Sequence, residues 1–395
     1  MTTMSEPSSP VSFSSLGLKS DLVEALTALG HTIPTAVQVA TIPAALAGRD
    51  IKAQAPTGTG KTLALGLPLL HQLSSWPRGR SARGNPITSL VLVPTRELAV
   101  QVADVLGSIA GALSFRPRVL CVYGGVSENQ QMMALRGGAD LLVATPGRLL
   151  DLQRKNAVDL SHTRALVLDE ADRLLGAGFY DEVHELLSLL PARRQNLLFS
   201  STFPPELESL MSALLHAPEQ FNLSPVVTPA LIEQHVYTVD QKRKAALLVH
   251  LLTTNNRGRV LVFVSEKKTA DRLVDTLKRA NIVALGFHGG LSQTRRQSAL
   301  NDFMADRLQV LVATDLAARG IDIEDLPVVV NFELPRSPND YVHRIGRTGR
   351  AGKPGLAWSL ICPAEFAHFR VIEKRIKRRL EREWVPGFEV LGSTQ

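Results

Sequence analysis

The stretch Val167-Leu168-Asp169-Glu170-Ala171-Asp172 decides the fold. The run 165–168 is short and wholly apolar, which is typical of a strand buried on both faces of a parallel sheet. Three carboxylates then follow within four residues, at the carboxyl end of the strand, where open α/β sheets bind their ligands. Because burying such charges without a partner costs several kcal/mol per group, the cluster predicts a bound cation. Oxygen ligands at a nucleotide site favour Mg²⁺.

Acidic residues are also common where an ordinary helix begins, because they stabilise the positive end of the helix dipole. The tetrapeptide 169–172 alone does not separate a metal site from a helix start. The remainder of the sequence decides between the two interpretations.

A phosphate-binding loop is predicted at 55–62, between a predicted strand at 51–55 and helical sequence. Glycines allow such a loop to wrap around phosphate, and the N–H groups of the helix N-terminus bind it. Lys61 adds a positive charge, and the Thr62 hydroxyl is suited to Mg²⁺. The alternative interpretation is a glycine-rich turn without function. Ala55 occupies the first position of the motif, where glycine is usual. The full motif is Ala55-Pro56-Thr57-Gly58-Thr59-Gly60-Lys61-Thr62.

Strand-like runs alternate with helical sequence along the whole chain, which predicts the α/β class with doubly wound parallel sheets. The predicted strands are 51–55, 89–93, 118–122, 140–144, 165–169 and 195–199, then 259–264, 282–287, 309–314, 327–332 and 355–362. A stretch punctuated by proline near 216–234 predicts a domain boundary. We therefore predict a disordered tail at 1–12, domains at 13–216 and 235–388, a short linker at 217–234 and a tail at 389–395.

The composition favours a polyanionic partner. The chain has 395 residues, 45% of them hydrophobic, and a formal net charge of +7. Charge alone does not distinguish nucleic acid from a membrane surface. No signal peptide and no apolar run of about 18 residues is evident. The two cysteines, Cys121 and Cys362, fit a reducing compartment, so we expect a cytoplasmic protein.

Ordered motifs along the chain resemble those of the DEAD-box RNA helicases, a family of superfamily 2. In the first half they are Phe13, Gln38, 55–62, 94–99, Gly124-Gly125, 145–148 and 169–172. In the second half they are 262–265, His288-Gly289, 293–296, 313–322 and 343–350. The residues around Gly124, Gln131, Gly137-Gly138 and 149–151 make the chain most similar to the bacterial RhlE-like subgroup.

The resemblance implies two RecA-like domains that close over ATP and single-stranded RNA, with Mg²⁺ held by Thr62 and Asp169. It implies that Gln38 and Phe13 bind adenine, that Lys61 holds phosphates and that Asp315 contacts ribose. The implied catalytic residues are Lys61, Asp169, Glu170, Arg347 and Arg350, with Glu170 activating water and the two arginines acting as fingers. The implied nucleotide contacts also include Ala55, Thr57, Gly58, Thr59 and Gly60.

The resemblance also implies an RNA path that holds the backbone without reading bases. Its residues are Pro94, Thr95, Arg96, Gly124, Gly125, Thr145, Pro146, Gly147, Arg148, Ser265, Gln293, Arg296 and Thr314. Asp172, Ser200, Thr202 and His343 are implied to couple the two domains. The implied partners are RNA single strands and short duplexes, and ribosomal precursor particles or RNA-decay proteins. The implied state is a monomer.

Three residues depart from the family pattern, and none is a catalytic group. Ser201 stands where alanine is usual, His31 where an aromatic residue is usual, and Gly290 where a polar residue is usual. Two rival functions are a DNA translocase, which the blocks 343–350 and 169–172 disfavour, and a catalytically weak RNA clamp or scaffold. Intact Lys61, Glu170, Arg347 and Arg350 argue against the clamp. Comparing ATPase stimulation by RNA and DNA, and a phosphate-release assay, distinguishes them.

A basic amphipathic helix is predicted at 369–384. Its apolar positions recur at helical spacing and are expected to pack on the second domain. Its other face carries an excess of cations. This face is either a solvated surface or an extension of the RNA path.

Overall fold

The computed structural model describes residues 11–56, 58–76, 87–176, 178–223, 232–255, 258–318, 323, 326–349 and 354–390. The chain forms two compact units, 1–226 and 227–395. In the described parts, each unit is built around one parallel sheet with helices on both faces. The predicted fold class is confirmed.

The sheet of the first unit has, in its described residues, the strand order β3-β4-β2-β5-β6-β1-β7, with every pair parallel. The strands are β1 (Ile51–Gln54), β2 (Ser89–Leu92), β3 (Val119–Val122), β4 (Leu141–Ala144), β5 (Ala165–Asp169), β6 (Gln195–Ser200) and β7 (Glu219–Asn222). The helices are α1 (Ser20–Ala28), α2 (Ala36–Leu46), α3 (Lys61–Leu73), α4 (Arg96–Ala112), α5 (Glu128–Leu135), α6 (Pro146–Arg154), α7 (Ala171–Leu174), α8 (Tyr180–Leu189) and α9 (Glu208–Leu214).

Strand β5 shows why this sequence forms a central strand. Ala165 and Val167 face one apolar core, which includes residues of α3 and α4. Leu166 and Leu168 face the other, which includes residues of α6 and α8. Because alternate side chains point to opposite faces, a strand covered on both faces is apolar throughout.

The second unit repeats the arrangement, with the order β10-β11-β9-β12-β13-β8-β14 among its described strands, all parallel. The strands are β8 (Ile232–Thr238), β9 (Val260–Val264), β10 (Ala284–Phe287), β11 (Val310–Thr314), β12 (Val328–Asn331), β13 (Gly355–Ile361) and β14 (Arg382–Glu383). The helices are α10 (Lys244–Thr254), α11 (Lys267–Arg279), α12 (Gln293–Met304), α13 (Asp315–Ala318), α14 (Pro338–Ile345) and α15 (Phe366–Ile376).

The predicted linker at 217–234 is too long at both ends. Strand β7 lies within it and pairs with β1, and β8 begins at Ile232 and pairs with β13. Both strands carry polar residues, so their pattern does not resemble the apolar runs of the central strands. The predicted tail at 1–12 falls almost wholly outside the described residues.

The predicted helix at 369–384 is also wrong beyond Ile376. Helix α15 ends there, and Lys377 adopts the left-handed conformation with φ of 52°. The chain then turns, Leu380 becomes buried, and Arg382–Glu383 forms β14 beside β8. Trp384, predicted to pack on the domain, is 56% exposed.

Within the described ranges, no helix is long and apolar enough to cross a membrane. Cys121 and Cys362 are both free thiols.

Candidate nucleotide and nucleic-acid site

The motifs of the first unit lie at the carboxyl ends of its strands and fall into two groups. The predicted nucleotide residues follow β1 and β5, whereas the predicted RNA residues follow β2, β3 and β4. The sheet order places β3, β4 and β2 on one side and β5, β6 and β1 on the other. The predicted nucleotide residues therefore lie on one side of the sheet, here called the nucleotide edge, and the predicted RNA residues on the other, here called the RNA edge. Strand β6 lies within the nucleotide edge.

The phosphate-binding loop is held by one hydrogen bond to the end of β6 and by one within the loop. Ala55 is buried and its N–H donates to the Ser200 carbonyl at 2.9 Å, while the Thr59 hydroxyl donates to the Pro56 carbonyl at 2.8 Å. Gly58 and Gly60 have φ of 76° and 88°, in the left-handed region that favours glycine. The loop thus delivers the chain to the start of α3.

Lys61 is the first residue of α3, and Thr62 lies in the same first turn. Only 7% of Lys61 is exposed, and its Nζ has no hydrogen-bond partner within the described structure. A buried ammonium without a partner is unfavourable, and phosphate oxygens at a helix N-terminus would satisfy it. The site fits a nucleotide polyphosphate.

Gln38 links helix α2 to this loop. Its Oε1 accepts from the Thr35 N–H at 2.9 Å, which forms a capping box, and its Nε2 donates to the Gly60 carbonyl at 3.0 Å. A Cβ added to Gly60 would lie 2.4 Å from that nitrogen. Phe13 is buried in the apolar core of the unit. Adenine binding by Gln38 and Phe13 stays a prediction.

Asp169 ends β5, and Glu170 follows it with φ of 55°. Burial raises the pKa of the Asp169 carboxyl to about 6; the Lys61 ammonium opposes this rise, and the Glu170 and Asp172 charges increase it. Glu170 is buried, and its Oε2 lies 3.1 Å from Nη1 of Arg173. A cation beside Asp169 would relieve the desolvated charge.

The three carboxylates of 169–172 do not form a metal-binding cluster among themselves. No group of three or more His, Cys, Asp or Glu side chains within the described ranges is arranged to hold a metal. Glu170 pairs with Arg173, and Asp172 is engaged by Thr202. The reason is that α7 begins at once, so successive side chains point in different directions around the helix. Asp169 and Thr62 remain as residues suited to Mg²⁺, which commonly uses few protein ligands and substrate phosphates.

Ser200 and Thr202 connect the end of β6 to the acidic motif. The Thr202 hydroxyl donates to Asp172 Oδ2, and the Asp172 N–H donates to Ser200 Oγ at 3.4 Å. Ser201 contributes its carbonyl, which accepts from Gln54 Nε2 at 3.3 Å. Serine in place of alanine at 201 therefore leaves both hydroxyl contacts intact.

The RNA edge begins with Arg96, the first residue of α4, which follows Pro94 and the N-cap Thr95. Its guanidinium lies across Gly124 and Gly125, which follow β3. A Cβ on Gly125 would lie 1.9 Å from Arg96 Nη1, and φ of Gly125 is 82°. The glycine pair thus leaves the space that this guanidinium occupies.

Arg148 lies in the first turn of α6, after the N-cap Thr145 and residues 146–147. Its guanidinium donates to the Val126 carbonyl at 3.2 and 3.3 Å and to Gln131 Oε1 at 3.0 Å. Gln131 in turn donates to the Tyr123 carbonyl at 3.0 Å. Sequence reasoning did not assign Gln131 to the site; its contact with Arg148 shows that it positions this arginine.

The second unit presents a similar edge after β9, β10 and β11. The Ser265 N–H donates to Glu333 Oε2 at 2.6 Å, and Thr314 ends β11. Gln293 begins α12, and Arg296 lies one turn later with its guanidinium 5.1 Å from the centre of the Phe287 ring. The predicted RNA residues of this unit are therefore on adjacent strands or on the helix between β10 and β11.

Arg344 is a structural centre that sequence reasoning missed. It is buried, and it donates to both carboxylate oxygens of Asp315 at 2.6 and 2.7 Å. It also donates to Asn331 Oδ1 at 3.0 Å and to the Glu333 carbonyl at 2.6 Å. Arg344 thus fixes the residue predicted to contact ribose.

His343 and Arg347 lie on either side of this arginine, and Arg347 is buried. Thr57 and Arg350, both predicted site residues, lie outside the described residues.

Two family models match the chain. A DEAD/DEAH box helicase model matches residues 35–210, and a helicase conserved C-terminal domain model matches residues 243–352.

Curated relatives match over nearly the whole chain. The ATP-dependent RNA helicase CshA of Listeria monocytogenes is 39% identical over 378 residues, covering 95% of this chain and 71% of that protein. The DEAD-box ATP-dependent RNA helicase CshA of Geobacillus kaustophilus is 39% identical over 371 residues, covering 94% and 78%.

Solved structures agree in fold. Dbp5 of S. cerevisiae bound to RNA and ADP BeF3 has a TM-score of 0.83 at 29% identity, with 95% of each chain covered. Mss116p bound to ssRNA and AMP-PNP has a TM-score of 0.84 at 27% identity, covering 96% of this chain and 81% of that one.

Proposed function

Since the chain belongs to the DEAD-box family of ATP-dependent RNA helicases, we propose that ATP hydrolysis at the ends of β1 and β5 drives local, non-processive opening of short RNA duplexes. Remodelling of ribonucleoprotein particles is the same activity on a protein-bound RNA. The observation that carries the proposal is the buried Lys61 ammonium, which has no partner within the described structure and opposes the desolvated Asp169.

The residues of the nucleotide edge have separate tasks in this proposal. Lys61 neutralises phosphate charge in both the bound and reacting states. Glu170 orients the attacking water and accepts its proton, and its Oε2 is buried without a hydrogen-bond partner among the described residues, 3.1 Å from Arg173 Nη1. Mg²⁺ held by Asp169 and Thr62 supplies further charge neutralisation when bound. Gln38 and Phe13 recognise the adenine.

The second unit contributes charge to the reaction in this proposal. Arg347 and Arg350 stabilise the developing charge on the transferred phosphoryl group, as arginine fingers do. Asp315, fixed by Arg344, contacts the ribose with its remaining lone pairs. Hydrolysis would then depend on both units, and RNA binding would stimulate it. Asp172, Ser200, Thr202 and His343 carry this coupling.

RNA is bound without base readout in this proposal. Arg96, Arg148 and Arg296 contact phosphates, and the backbone at 124–125, 145–147 and 314 approaches the strand closely. Gln293, Ser265, Pro94 and Thr95 complete the path. Since backbone and 2′-hydroxyl contacts carry no base code, affinity should be sequence-independent and salt-dependent.

The Glu170–Arg173 ion pair supports a second candidate function, a catalytically weak RNA clamp or scaffold. An arginine 3.1 Å from the water-activating carboxylate competes with the attacking water for that oxygen. In that case the protein would hold RNA for long periods with ATP bound.

We further propose that the protein acts as a monomer in the cytoplasm, in ribosome assembly or RNA decay. Two free cysteines support a reducing compartment. The division into domains at 13–216 and 235–388, as modified by β7 and β8, and the RhlE-like subgroup also remain our interpretations.

Two measurements on the full chain test the function. Phosphate release should be stimulated by single-stranded RNA and much less by DNA of the same sequence. Equal stimulation would favour a DNA translocase, and turnover near zero with tight RNA binding would favour the clamp. Unwinding should decline steeply with duplex length, so sustained opening of hundreds of base pairs would contradict local action.

A further inference from the structure

A groove lies on the second unit between the end of α15 and β14. It has a volume of about 1130 Å³, and the turn that follows Ile376 lines one side of it. Lys377 begins this turn in the left-handed conformation, where a residue other than glycine costs about 1 kcal/mol. The turn contributes three consecutive cations, Lys377, Arg378 and Arg379, to the lining of the groove.

The cations that line the groove outnumber its two carboxylates, Glu373 and Glu381. The side chains of Arg370, Lys374 and residues 377–379 are exposed, and none forms a hydrogen bond or ion pair with a described residue. Glu373 is already used, because its carboxylate accepts from the Leu380 N–H and from both Nη atoms of Arg382.

An exposed indole lies beside these cations. Trp384 lines the groove and is 56% exposed, although burial of a tryptophan would be favourable. Cations near a helix C-terminus can merely complement the helix dipole. That explanation does not account for an exposed aromatic ring within the same groove. Cations together with an open aromatic face are what a single nucleic-acid strand requires.

The groove is separate from the predicted RNA edge of the same unit. Strand β14 is at one edge of the sheet, and β11 is five strand spacings away. At about 4.8 Å per spacing, the separation is roughly 24 Å. A strand bound at the groove therefore uses contacts other than those of Gln293 and Arg296.

We propose that this groove is a second, nucleotide-independent binding site for single-stranded RNA. Residues 377–379, with Arg370 and Lys374, bind phosphates, and an unpaired base stacks on Trp384. The inference rests on the proposed function in taking RNA as the ligand, and goes beyond it by adding a site outside the helicase motifs. Such a site would retain the RNA between cycles of ATP hydrolysis.

The test is RNA binding by the full chain without nucleotide, measured by anisotropy of a labelled oligouridylate across salt concentrations. Neutralising the turn (Lys377→Ala, Arg378→Ala, Arg379→Ala) should weaken binding about tenfold at low salt and reduce the salt slope by up to about two. Trp384→Ala should weaken binding about tenfold, and Trp384→Phe should restore most of it.

The matched control neutralises three exposed cations of α11 (Arg272→Ala, Lys278→Ala, Arg279→Ala), with the same change in net charge. This control should keep wild-type affinity and slope. Equal losses of RNA affinity in both triple variants would show that net charge, and not the groove, causes the loss, and this would overturn the proposal. RNA binding like wild type by folded groove variants would also overturn the proposal. If the same variants lose binding to polyglutamate, measured as a second probe, the groove is instead a surface for acidic proteins.

A different measurement tests the proposed function itself. If wild-type ATP turnover is not stimulated by RNA, the helicase assignment fails whatever the groove binds. If turnover is stimulated but the groove variants bind RNA like wild type, only the second site fails.

Discussion

Gln38 donates a hydrogen bond from its side-chain amide to the Gly60 carbonyl oxygen at 3.0 Å. The bond joins the start of α2 to the phosphate-binding loop one residue before Lys61. A residue implied to recognise the base therefore also holds the loop that binds phosphate. Base recognition and phosphate binding should consequently be lost together.

Gly60→Ala should disrupt this connection. The new Cβ would lie 2.4 Å from Gln38 Nε2, and φ of Gly60 is 88°. We expect ATP affinity to fall at least about tenfold, measured by titration with a fluorescent ATP analogue. Gly48→Ala is the matched control, because Gly48 also has positive φ but nothing lies within 4 Å of its Cβ position. If both variants bind ATP like wild type, the Gln38 contact does not support the loop.

Asp169→Asn should stabilise the protein without nucleotide. The pKa of Asp169 is raised from 3.8 to about 6, so the native state binds this proton more tightly than the unfolded state. The native state therefore loses stability as pH rises from about 4 to 6, and the loss is complete above about pH 6. Asparagine removes it, which should raise the free energy of local unfolding at pH 7.5 by about 2–3 kcal/mol.

Hydrogen exchange of β5 amides measures this gain, with Asp151→Asn on the exposed face of α6 as control. The gain should shrink to about half at pH 5, because the native carboxyl is then already protonated. A gain that is independent of pH would show that Asp169 is not the cause.

Gly125→Ala should weaken RNA binding and leave ATP binding unchanged. Its Cβ would meet Arg96 Nη1 at 1.9 Å, so the guanidinium has to move. Gly124→Ala should disturb the guanidinium less, since its Cβ would lie 3.4 Å from Nη2. We expect about a tenfold loss of RNA affinity for the first and a small one for the second, by anisotropy with an ATP analogue present. Equal RNA affinity of the two variants would show that Arg96 is not part of the RNA path.

Thr202→Val should uncouple hydrolysis from unwinding. The substitution removes the hydroxyl that holds Asp172 while keeping the side-chain shape. We expect the number of duplexes opened per ATP to fall about tenfold, with a smaller change in ATP turnover, in paired unwinding and phosphate-release assays. Ser201→Ala, which restores the usual family residue, should behave like wild type. Parallel loss of both activities in Thr202→Val would indicate simple damage to the nucleotide edge.

The central strands and their motifs were predictable because burial on both faces leaves a plain apolar run, as in β5. Strands β7 and β14, each at one edge of its sheet, were not. Strand β7 reads Glu-Gln-Phe-Asn and β14 has two charged residues, so pairing with β1 and β8 decides their conformation rather than their own pattern. The end of α15 was hidden for another reason, since Lys377 occupies a left-handed position that usually carries glycine.

Within the site, the sequence indicated which residues gather at each edge, but not what each side chain contacts. The carboxylates of 169–172 predicted a bound cation, but their spacing did not indicate that Thr202 and Arg173 engage two of them. Arg344 was hidden among neighbouring arginines, because nothing in the motif distinguishes the one that turns inward to Asp315. Such distinctions depend on side-chain geometry that spacing does not encode.

The most direct test of the account is phosphate release by wild type and Glu170→Gln at saturating ATP and Mg²⁺, with and without single-stranded RNA. We expect RNA to raise wild-type turnover, and the variant to lose about 10²–10⁴-fold in turnover while keeping wild-type ATP affinity and tight RNA binding. Normal turnover in Glu170→Gln, or wild-type turnover indifferent to RNA, would contradict it.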